Sequence, residues 1–450
     1  MTAPEPPPGS PPAVATGLPR LRAHLGDPLH RTSYLLLVGA GAGSLLGFLF
    51  WGLAARGYPA RVVGLNSTAI SAMMFVSGVC QLGMKPVLVR YLPTAGHMVR
   101  AFVLRTYALT VAISVVLGSA AAATSELWSP SLGFLAREPG WFAGFAFSTA
   151  LWTIFTLQDS VLTALKGVPL VPISNSAYSV VKLAVLLAVI GLLPFSGPFV
   201  AWNLPLLATV AIVTYYVFRR LIPRYRSTSD PKSSIDRRQV ISVARGNYGG
   251  TLFALAAVML LPILVTNAEG AEQTAFFYVP WTISMGLQLV ALSTTTSLTV
   301  EAALDEPGLR QLTRRTLVTT MWLVVPLAAV SALAAPWILA AFGSSYATEG
   351  ATLLALLAIA AVPNVLQTLG VTVARLQHRG RLVLAIHGAQ CVLALGLSAL
   401  LLPRYGIEGV GMAWLLCQVF VAIGVLAGPL RLLLLTRAGD RHREPLNEGG

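Results

Sequence analysis

The sequence predicts an all-α polytopic membrane protein, with twelve transmembrane helices in two six-helix lobes around a central cavity. Of the 450 residues, 55% are hydrophobic and only 11% are charged, whereas about 25% are charged in an ordinary soluble domain. The apolar residues form runs of about 20 residues, the length that crosses roughly 30 Å of hydrocarbon. The basic residues lie between these runs, mostly on one predicted side of the membrane.

Twelve apolar runs are long enough to be membrane spans. The first six are Ser33–Ala55, Val62–Gly83, Val103–Ala123, Trp141–Leu165, Val171–Leu193 and Phe199–Phe218. The second six are Tyr248–Thr266, Phe276–Leu298, Leu317–Ala341, Ala351–Val373, Leu382–Leu402 and Gly409–Ala427. We therefore predict a disordered cytoplasmic tail at 1–32, a first lobe at 33–218, a basic cytoplasmic linker at 219–245, a second lobe at 246–430 and a cytoplasmic tail at 431–450.

The basic residues predict the orientation in the membrane. With the N-terminus inside, the inner segments hold 26 of the 31 lysines and arginines and the outer loops hold 4. Cytoplasmic loops carry such an excess of basic residues, so both termini are predicted to be cytoplasmic, in the inner or plasma membrane. The net charge of +14 follows from these loops, and we expect no nucleic-acid partner.

The residue patterns of enzymes are missing from the sequence. None of the four lysines has both the preceding glycine and the following Ser or Thr of a phosphate-binding loop. The six histidines are scattered, and the three cysteines lack the paired spacing of a metal site. We therefore expect no enzymatic activity, no metal and no cofactor.

One lysine lies inside a predicted span. Lys182 is about 18 Å into the fifth span at roughly 1.5 Å per residue, close to the membrane midplane. It shares a helix face with Asn175 and Tyr178, because the three are spaced i, i+3 and i+7. This polar face either looks into a substrate cavity, or Lys182 is neutralised by Asp159 of the preceding span, with Gln158 beside it. Intramembrane charges mark a pathway or a buried pair, and both interpretations stay open.

Further polar residues fall at the inner ends of the spans. Arg90 follows the second span, and Arg245, Asn247 and Tyr248 open the seventh. They either ring the cytoplasmic mouth of the cavity and bind substrate, or are ordinary membrane anchors.

Two patterns predict packing rather than chemistry. The glycines of the first span repeat at i, i+4 and i+8, which indicates a ridge for close helix contact: Gly39, Gly43 and Gly47. Three tryptophans near span ends indicate interfacial belts: Trp51, Trp141 and Trp281.

Several segments resemble a known family. They are Gly47–Arg56, Val87–Pro93, Phe155–Asp159 and Pro403–Gly411, which are similar to segments of Wzx-type polysaccharide-export flippases. These flippases belong to the multidrug/oligosaccharidyl-lipid/polysaccharide superfamily. The resemblance extends over roughly residues 30 to 430.

The resemblance implies a flippase that moves a polyprenyl-pyrophosphate-linked oligosaccharide to the outer leaflet by alternating access, for cell-surface polysaccharide biosynthesis. It implies the lipid-linked oligosaccharide, membrane lipids and glycan-assembly proteins as partners. Arg90 closes the second-span motif. The family tends to have a positively charged lumen, and Lys182 is the corresponding candidate in this chain. Relatives that flip the peptidoglycan precursor carry arginines in the first span, and this chain has none between Ser33 and Ala55.

Two alternatives remain open at the level of the sequence. The first is a cation-coupled drug or small-metabolite antiporter of the same fold, for which Asp159 is the clear intramembrane acid. The second is a non-transporting membrane scaffold of a glycan-assembly complex, whose basic loops bind partners or anionic lipid.

Overall fold

A computed structural model describes residues 28–226, 237–302, 309–428 and 430, which are almost entirely helical. Of the predicted N-terminal tail 1–32, residues 1–27 lie outside the described residues, and a helix begins at Pro28. The predicted C-terminal tail 431–450 also lies outside them. The predicted linker 219–245 is helical on both sides of residues 227–236, which are outside the described residues.

The first lobe contains six spanning helices joined by short ones. Its helices are α1 (Pro28–Gly57), α2 (Ala60–Cys80), α3 (Met84–Tyr91), α4 (Val99–Ala123), α5 (Ser125–Trp128), α6 (Phe134–Arg137), α7 (Pro139–Ala164), α8 (Leu170–Val189), α9 (Gly197–Tyr216) and α10 (Ile222–Arg226). The long helices α1, α2, α4, α7, α8 and α9 are the six spans. Below, inner and outer denote the sides that the basic residues predict to be cytoplasmic and external.

The second lobe has fewer helices, because at two bends one span continues into the next within a single helix. Its helices are α11 (Arg237–Met259), α12 (Leu261–Ala302), α13 (Leu309–Leu333), α14 (Ala335–Ala340), α15 (Ser344–Leu376) and α16 (Gly380–Ala427). The backbone leaves helical geometry at Gly270 in α12 (φ 87°, ψ 171°) and at Gly406 in α16 (φ 56°, ψ −147°). Glycine adopts positive φ without the steric cost that a Cβ imposes. The chain therefore turns back at both of these residues.

Helix lengths confirm the twelve spans. Among the described residues, nine helical stretches are long and apolar enough to cross a membrane, including Arg238–Thr295 with 58 residues and Gly380–Ala427 with 48. Straight helices of those lengths would measure about 87 and 72 Å, against roughly 30 Å of hydrocarbon. Each therefore crosses twice, and α1 adds the twelfth crossing. The chain is a multi-pass membrane protein, and the predicted fold class is confirmed.

The two lobes meet chiefly where α2 packs against α12. A Cβ on Gly64 of α2 would lie 1.7 Å from the carbonyl oxygen of Ala271, so only glycine allows this approach. One turn further on, the hydroxyl groups of Thr68 and Thr266 are 2.6 Å apart. The outer end of α1 adds a second contact, in which Arg56 Nε donates to the carbonyl of Ala341 at 2.8 Å.

The predicted packing of another helix on the glycine ridge of the first span is wrong for Gly43 and Gly47, the two ridge glycines whose neighbours the structure describes. A Cβ built on Gly43 or Gly47 meets no heavy atom within 4 Å. The regular spacing marks a smooth helix face, but no partner helix lies on it there. The close approach instead occurs at Gly64, which has no glycine neighbours at helical spacing.

We expect Gly64→Ala to lower the thermal stability of the purified protein, because the added methyl pushes α2 away from α12. Overpacking of this kind costs about 1–3 kcal/mol. Gly47→Ala is the matched control, since it adds the same methyl to a spanning helix where no atom is near. A thermal-shift measurement in detergent compares the two variants. Equal midpoints would contradict the close contact between the lobes.

Candidate functional site

Lys182 of α8 is buried inside the first lobe among aromatic rings. Its side chain is 3% exposed, and its Nζ lies 3.8 Å from the centroid of the Trp202 ring, 4.9 Å from Phe50 and 5.3 Å from Tyr178. These distances are within the range of cation–π attraction, which is strongest for tryptophan. We call Phe50, Tyr178, Lys182 and Trp202 the lysine cage.

Three helices build the lysine cage. Tyr178 and Lys182 lie one turn apart on α8, so both face the same neighbours. Trp202 comes from α9, and the Tyr178 hydroxyl donates to the Trp202 carbonyl oxygen at 2.9 Å. Phe50 comes from α1, and its ring centroid is 5.3 Å from that of Trp202. Ring packing and this hydrogen bond hold the aromatic faces toward the ammonium group.

A wider aromatic cluster surrounds the lysine cage. The Trp202 ring lies 5.9 Å from Trp51 and 6.1 Å from Trp152, and Trp51 contacts Tyr278 of the second lobe at 4.7 Å between centroids. The cage is thus connected to the interface between the lobes. Because Trp51 is 1% exposed, its predicted role in an interfacial belt is wrong.

The other two predicted belt tryptophans are also buried in the aromatic interior. Trp141 is 9% exposed and Trp281 is 3% exposed. Trp281 packs edge-on against Trp414 at 4.8 Å between centroids. Closeness to a span end does not show whether a tryptophan faces lipid or protein.

Lys182 does not form a salt bridge with Asp159 in the part of the chain that the structure describes. The two helices run antiparallel. Asp159 lies five residues from the inner end of α7 and Lys182 twelve residues from the inner end of α8, so their depths differ by about 10 Å. Asp159 instead lies at the depth of Asn175, whose Nδ2 donates to Asp159 Oδ2 at 3.4 Å.

The positive charge that acts on Asp159 belongs to Lys85 of α3. Tyr107 of α4 also interacts electrostatically with this carboxylate. Asp159, Asn175, Lys85 and Tyr107 therefore form a second polar group near the inner end of the first lobe, which we call the inner cluster. Sequence reasoning missed Lys85, because its place just after the second span resembles ordinary anchoring.

Gln158 forms its hydrogen bonds outside both polar groups and joins two helices. Its Nε2 donates to the carbonyl oxygen of Val210 at 2.9 Å and to the Thr214 hydroxyl at 2.7 Å, both on α9. These bonds satisfy a buried amide, so the structure supplies a packing role for Gln158.

The predicted inner-mouth residues lie at a different level from Lys182. Arg90 is exposed, and its guanidinium lies 5.6 Å from the Tyr91 ring centroid. Arg245 is exposed in the third turn of α11, and Asn247 lies two residues further on. The Tyr248 hydroxyl donates to the carbonyl oxygen of Val79 at 2.8 Å, which holds α11 against α2. These residues are near the inner ends of the spans, whereas the lysine cage is about 18 Å deeper than the start of α8.

No protein-family model matches the sequence, and no curated protein sequence matches it. Solved structures do match the fold. An inward-facing multidrug resistance MATE family transporter of the MOP superfamily matches with a TM-score of 0.66 at 15% identity, over 89% of this chain and 94% of that chain. The lipid II flippase MurJ, in an inward closed conformation, matches with a TM-score of 0.66 at 11% identity, over 87% and 86%.

A third match is a MOP superfamily transporter from Pyrococcus furiosus. Its TM-score is 0.63 at 15% identity, over 92% of this chain and 97% of that chain, and its binding pocket has reverse polarity. At these identities the likeness shows the fold alone. The protein therefore has the fold of the MOP superfamily transporters, which confirms the resemblance noted in the sequence at the level of that fold.

Proposed function

We propose that the protein is a flippase that moves a polyprenyl-pyrophosphate-linked oligosaccharide from the inner to the outer leaflet by alternating access. The observation that carries the proposal is Lys182, a buried ammonium group with aromatic neighbours and no salt bridge within the described segments. A lysine at the centre of a membrane costs about 2.5–3.5 kcal/mol on insertion scales. Such a costly residue indicates an anionic ligand.

The head group of a lipid pyrophosphate suits this site. It carries about two negative charges, and a lysine ammonium binds phosphate as a point charge. The interaction is stronger in a dry interior than in water, because the effective dielectric constant is lower. In the described state the cage encloses the ammonium, so the rings of Phe50 and Trp202 have to move when the anion enters.

The aromatic cluster suits the sugars that follow the pyrophosphate. Trp51, Trp152 and Trp202 offer broad apolar faces with polar N–H edges, and sugar rings have apolar faces of similar width. A site that combines one ammonium group with several indole rings can hold a charged phosphate next to an uncharged sugar. A small inorganic anion would use only the ammonium group.

Basic residues at the inner mouth make the first contact with the anionic head group of the transported lipid. Arg90 and Arg245 are exposed near the inner ends of the second and seventh spans, where their field attracts anionic head groups from the cytoplasmic leaflet. Asn247 and Tyr248 follow on the same helix. Lys182 then provides the second contact near the midplane, with Asn175 and Tyr178 along the same α8 face. The lipid tail stays in the bilayer during this movement.

The membrane potential favours export without a cofactor. A cytoplasm about 100 mV negative favours the exit of anions by roughly 2.3 kcal/mol per charge. The solved structures with this fold include a lipid II flippase, and one with a pocket of reverse polarity. Glycan-assembly proteins and membrane lipids are the partners that this function implies.

A cation-coupled antiporter is the second candidate, and the inner cluster favours it. Asp159 is half-buried and bonded to Asn175, as a cation-binding carboxylate would be, and multidrug transporters share the fold. The positive charge of Lys85 also acts at Asp159, and it would repel a coupling cation there.

Depletion of the protein in cells tests the proposed function. Without it, lipid-linked oligosaccharide is expected to accumulate in the cytoplasmic leaflet while surface polysaccharide falls, and sensitivity to cationic drugs is expected to change little. A surface glycan at normal level together with lost drug efflux would favour the antiporter.

A further inference from the structure

A short folded segment covers the outer end of the contact between the two lobes. It joins α4 to α7 and consists of α5, a 3₁₀ helix at Pro130–Leu132 and α6. The 3₁₀ helix contacts both α2 of the first lobe and α12 of the second. We call residues 124–138 the outer cap. The cap therefore lies across the line along which the two lobes separate when the protein opens to the outside.

The outer cap is fixed to the first lobe. Its helix α6 packs on α4 and α7, with Leu135 fully buried and the Phe134 ring 4.7 Å from that of Trp141 between centroids. At the other end of the cap, Trp128 Nε1 donates to the carbonyl oxygen of Ala121 at 3.0 Å. Lifting the cap from the first lobe would expose these apolar side chains to water, which is unfavourable. The cap therefore moves with the first lobe.

One side-chain amide of the second lobe binds the outer cap. Asn267 lies on α12, three residues before the turn at Gly270. Its Nδ2 donates to the carbonyl oxygen of Trp128 at 2.7 Å, and its Oδ1 accepts from the Ser129 hydroxyl at 2.7 Å. We call these two hydrogen bonds the Asn267 clasp. Both polar ends of the amide are engaged by neighbouring residues of the cap, so the clasp joins the two lobes.

A chain of hydroxyl groups continues the contact below the Asn267 clasp. The Thr68 hydroxyl of α2 is 2.6 Å from that of Thr266, which is 2.9 Å from that of Thr274. All three residues are at most 1% exposed. Thr68 lies eight residues, or about 12 Å, from the outer end of α2. A molecule outside the membrane therefore reaches Thr68 only after the lobes part on the outer side.

The clasp can open reversibly. Asn267 is exposed, so water can replace both of its hydrogen bonds when the lobes part. An intramolecular hydrogen bond that water replaces contributes only modestly to stability. Two of them therefore favour the closed arrangement without making it permanent. A buried ion pair at the same place would hold the lobes together more strongly, because breaking it leaves charges unpaired.

We propose that the outer cap is a strap that keeps the protein closed to the outside, and that release of the Asn267 clasp frees the lobes to separate on that side. The inference rests on the alternating access of the proposed function. Two ordinary hydrogen bonds favour the closed arrangement roughly tenfold over one in which water has replaced them. Loss of the clasp is therefore expected to raise the ratio of open to closed molecules by about that factor.

The accessibility of a cysteine below the clasp tests this proposal in intact cells. Thr68→Cys places a thiol in the closed interface of every variant, and a membrane-impermeant maleimide is added from outside. The labelling rate at position 68, quantified by peptide mass spectrometry, follows the fraction of molecules that are open to the outside. We expect Asn267→Ala to raise this rate about tenfold. Ser129→Ala removes one of the two bonds and is expected to raise it about threefold.

Thr124→Val is the matched control. It also removes a hydroxyl group from the outer cap, but that hydroxyl bonds only the Ala120 carbonyl of its own lobe among the described contacts, so the labelling rate is expected to stay unchanged. An unchanged rate in Asn267→Ala would overturn the proposal. Equal labelling of Cys391, a buried native cysteine, would also overturn it, because the whole protein would then be loosened.

The labelling assay is independent of the transported substrate. If Asn267→Ala raises the labelling rate in a protein that flips no oligosaccharide, the strap is supported and the proposed function is wrong. If the protein flips the oligosaccharide but Asn267→Ala leaves the rate unchanged, the strap is wrong and the proposed function is unaffected.

Discussion

Replacing Lys182 with methionine is expected to reduce export of lipid-linked oligosaccharide at least tenfold while leaving the protein as stable as the wild type or more so. Methionine keeps most of the side-chain volume among the cage rings and removes the charge. Because Lys182 has no salt bridge among the described residues, the loss of its charge leaves no buried carboxylate unpaired. The lost insertion cost, about 2.5–3.5 kcal/mol, raises stability.

Two further variants separate the charge from its surroundings. Lys182→Arg keeps the charge and is expected to retain part of the transport, reduced by the poorer fit of a planar guanidinium in the cage. Lys166→Ala removes the same charge from an exposed position at the inner surface and is expected to transport normally.

Transport per folded molecule and the thermal midpoint are measured together for each variant. If Lys182→Met unfolds at a lower temperature but transports normally per folded molecule, then Lys182 has a structural role. The lysine cage would then no longer support a substrate site.

An inside-negative potential is expected to drive the pyrophosphate lipid outward in proteoliposomes that contain the purified protein. Two charges moving through about 100 mV gain about 4.6 kcal/mol, which corresponds to roughly a two-thousandfold ratio between leaflets at equilibrium. Potassium gradients with valinomycin set the potential, and the labelled sugar is quantified in each leaflet. If the distribution of the lipid between the leaflets does not depend on the potential, a counter-ion compensates the charge of the pyrophosphate. The mechanism would then be coupled transport and not uniport.

The spans were predictable because hydrocarbon imposes a length and a composition on each crossing. The number of crossings depends on that constraint, whereas the resemblance to the superfamily depends on short segments such as Gly47–Arg56. Gly270 and Gly406, which turn the chain back between crossings, have a backbone conformation that favours glycine. The chain has 40 glycines, so the residue type alone does not single these two out.

The site was only partly predictable, since its contacts join distant segments. The i, i+4 spacing of Tyr178 and Lys182 identified one wall of the lysine cage. Phe50 and Trp202 lie more than a hundred residues apart in the sequence, and no local pattern indicates that they meet at Lys182. Trp202 lies only three residues into its predicted span, where a tryptophan of an interfacial belt is equally expected, so its position gave no signal of the contact.

The choice between a Lys182 that faces a cavity and a Lys182 that pairs with Asp159 depended on how deep each residue lies in the membrane. Asp159 and Lys182 are on consecutive spans, so their pairing looked plausible from order along the chain. Comparing distances from the shared inner end puts Asp159 level with Asn175 instead. Such a comparison requires helix ends to within about one turn, and those are the least certain part of a sequence-based prediction.

The central claim is that the lysine cage carries an anionic lipid-linked sugar across the membrane. The most direct measurement reconstitutes the wild type, Lys182→Met and Asp159→Asn side by side, and follows both a lipid-linked oligosaccharide and a cationic drug. We expect the wild type to flip the oligosaccharide, Lys182→Met to lose that activity, Asp159→Asn to retain it, and none to move the drug appreciably. Drug transport by the wild type that Asp159→Asn abolishes, with no flipping of the oligosaccharide, would contradict the claim and assign the coupling site to Asp159.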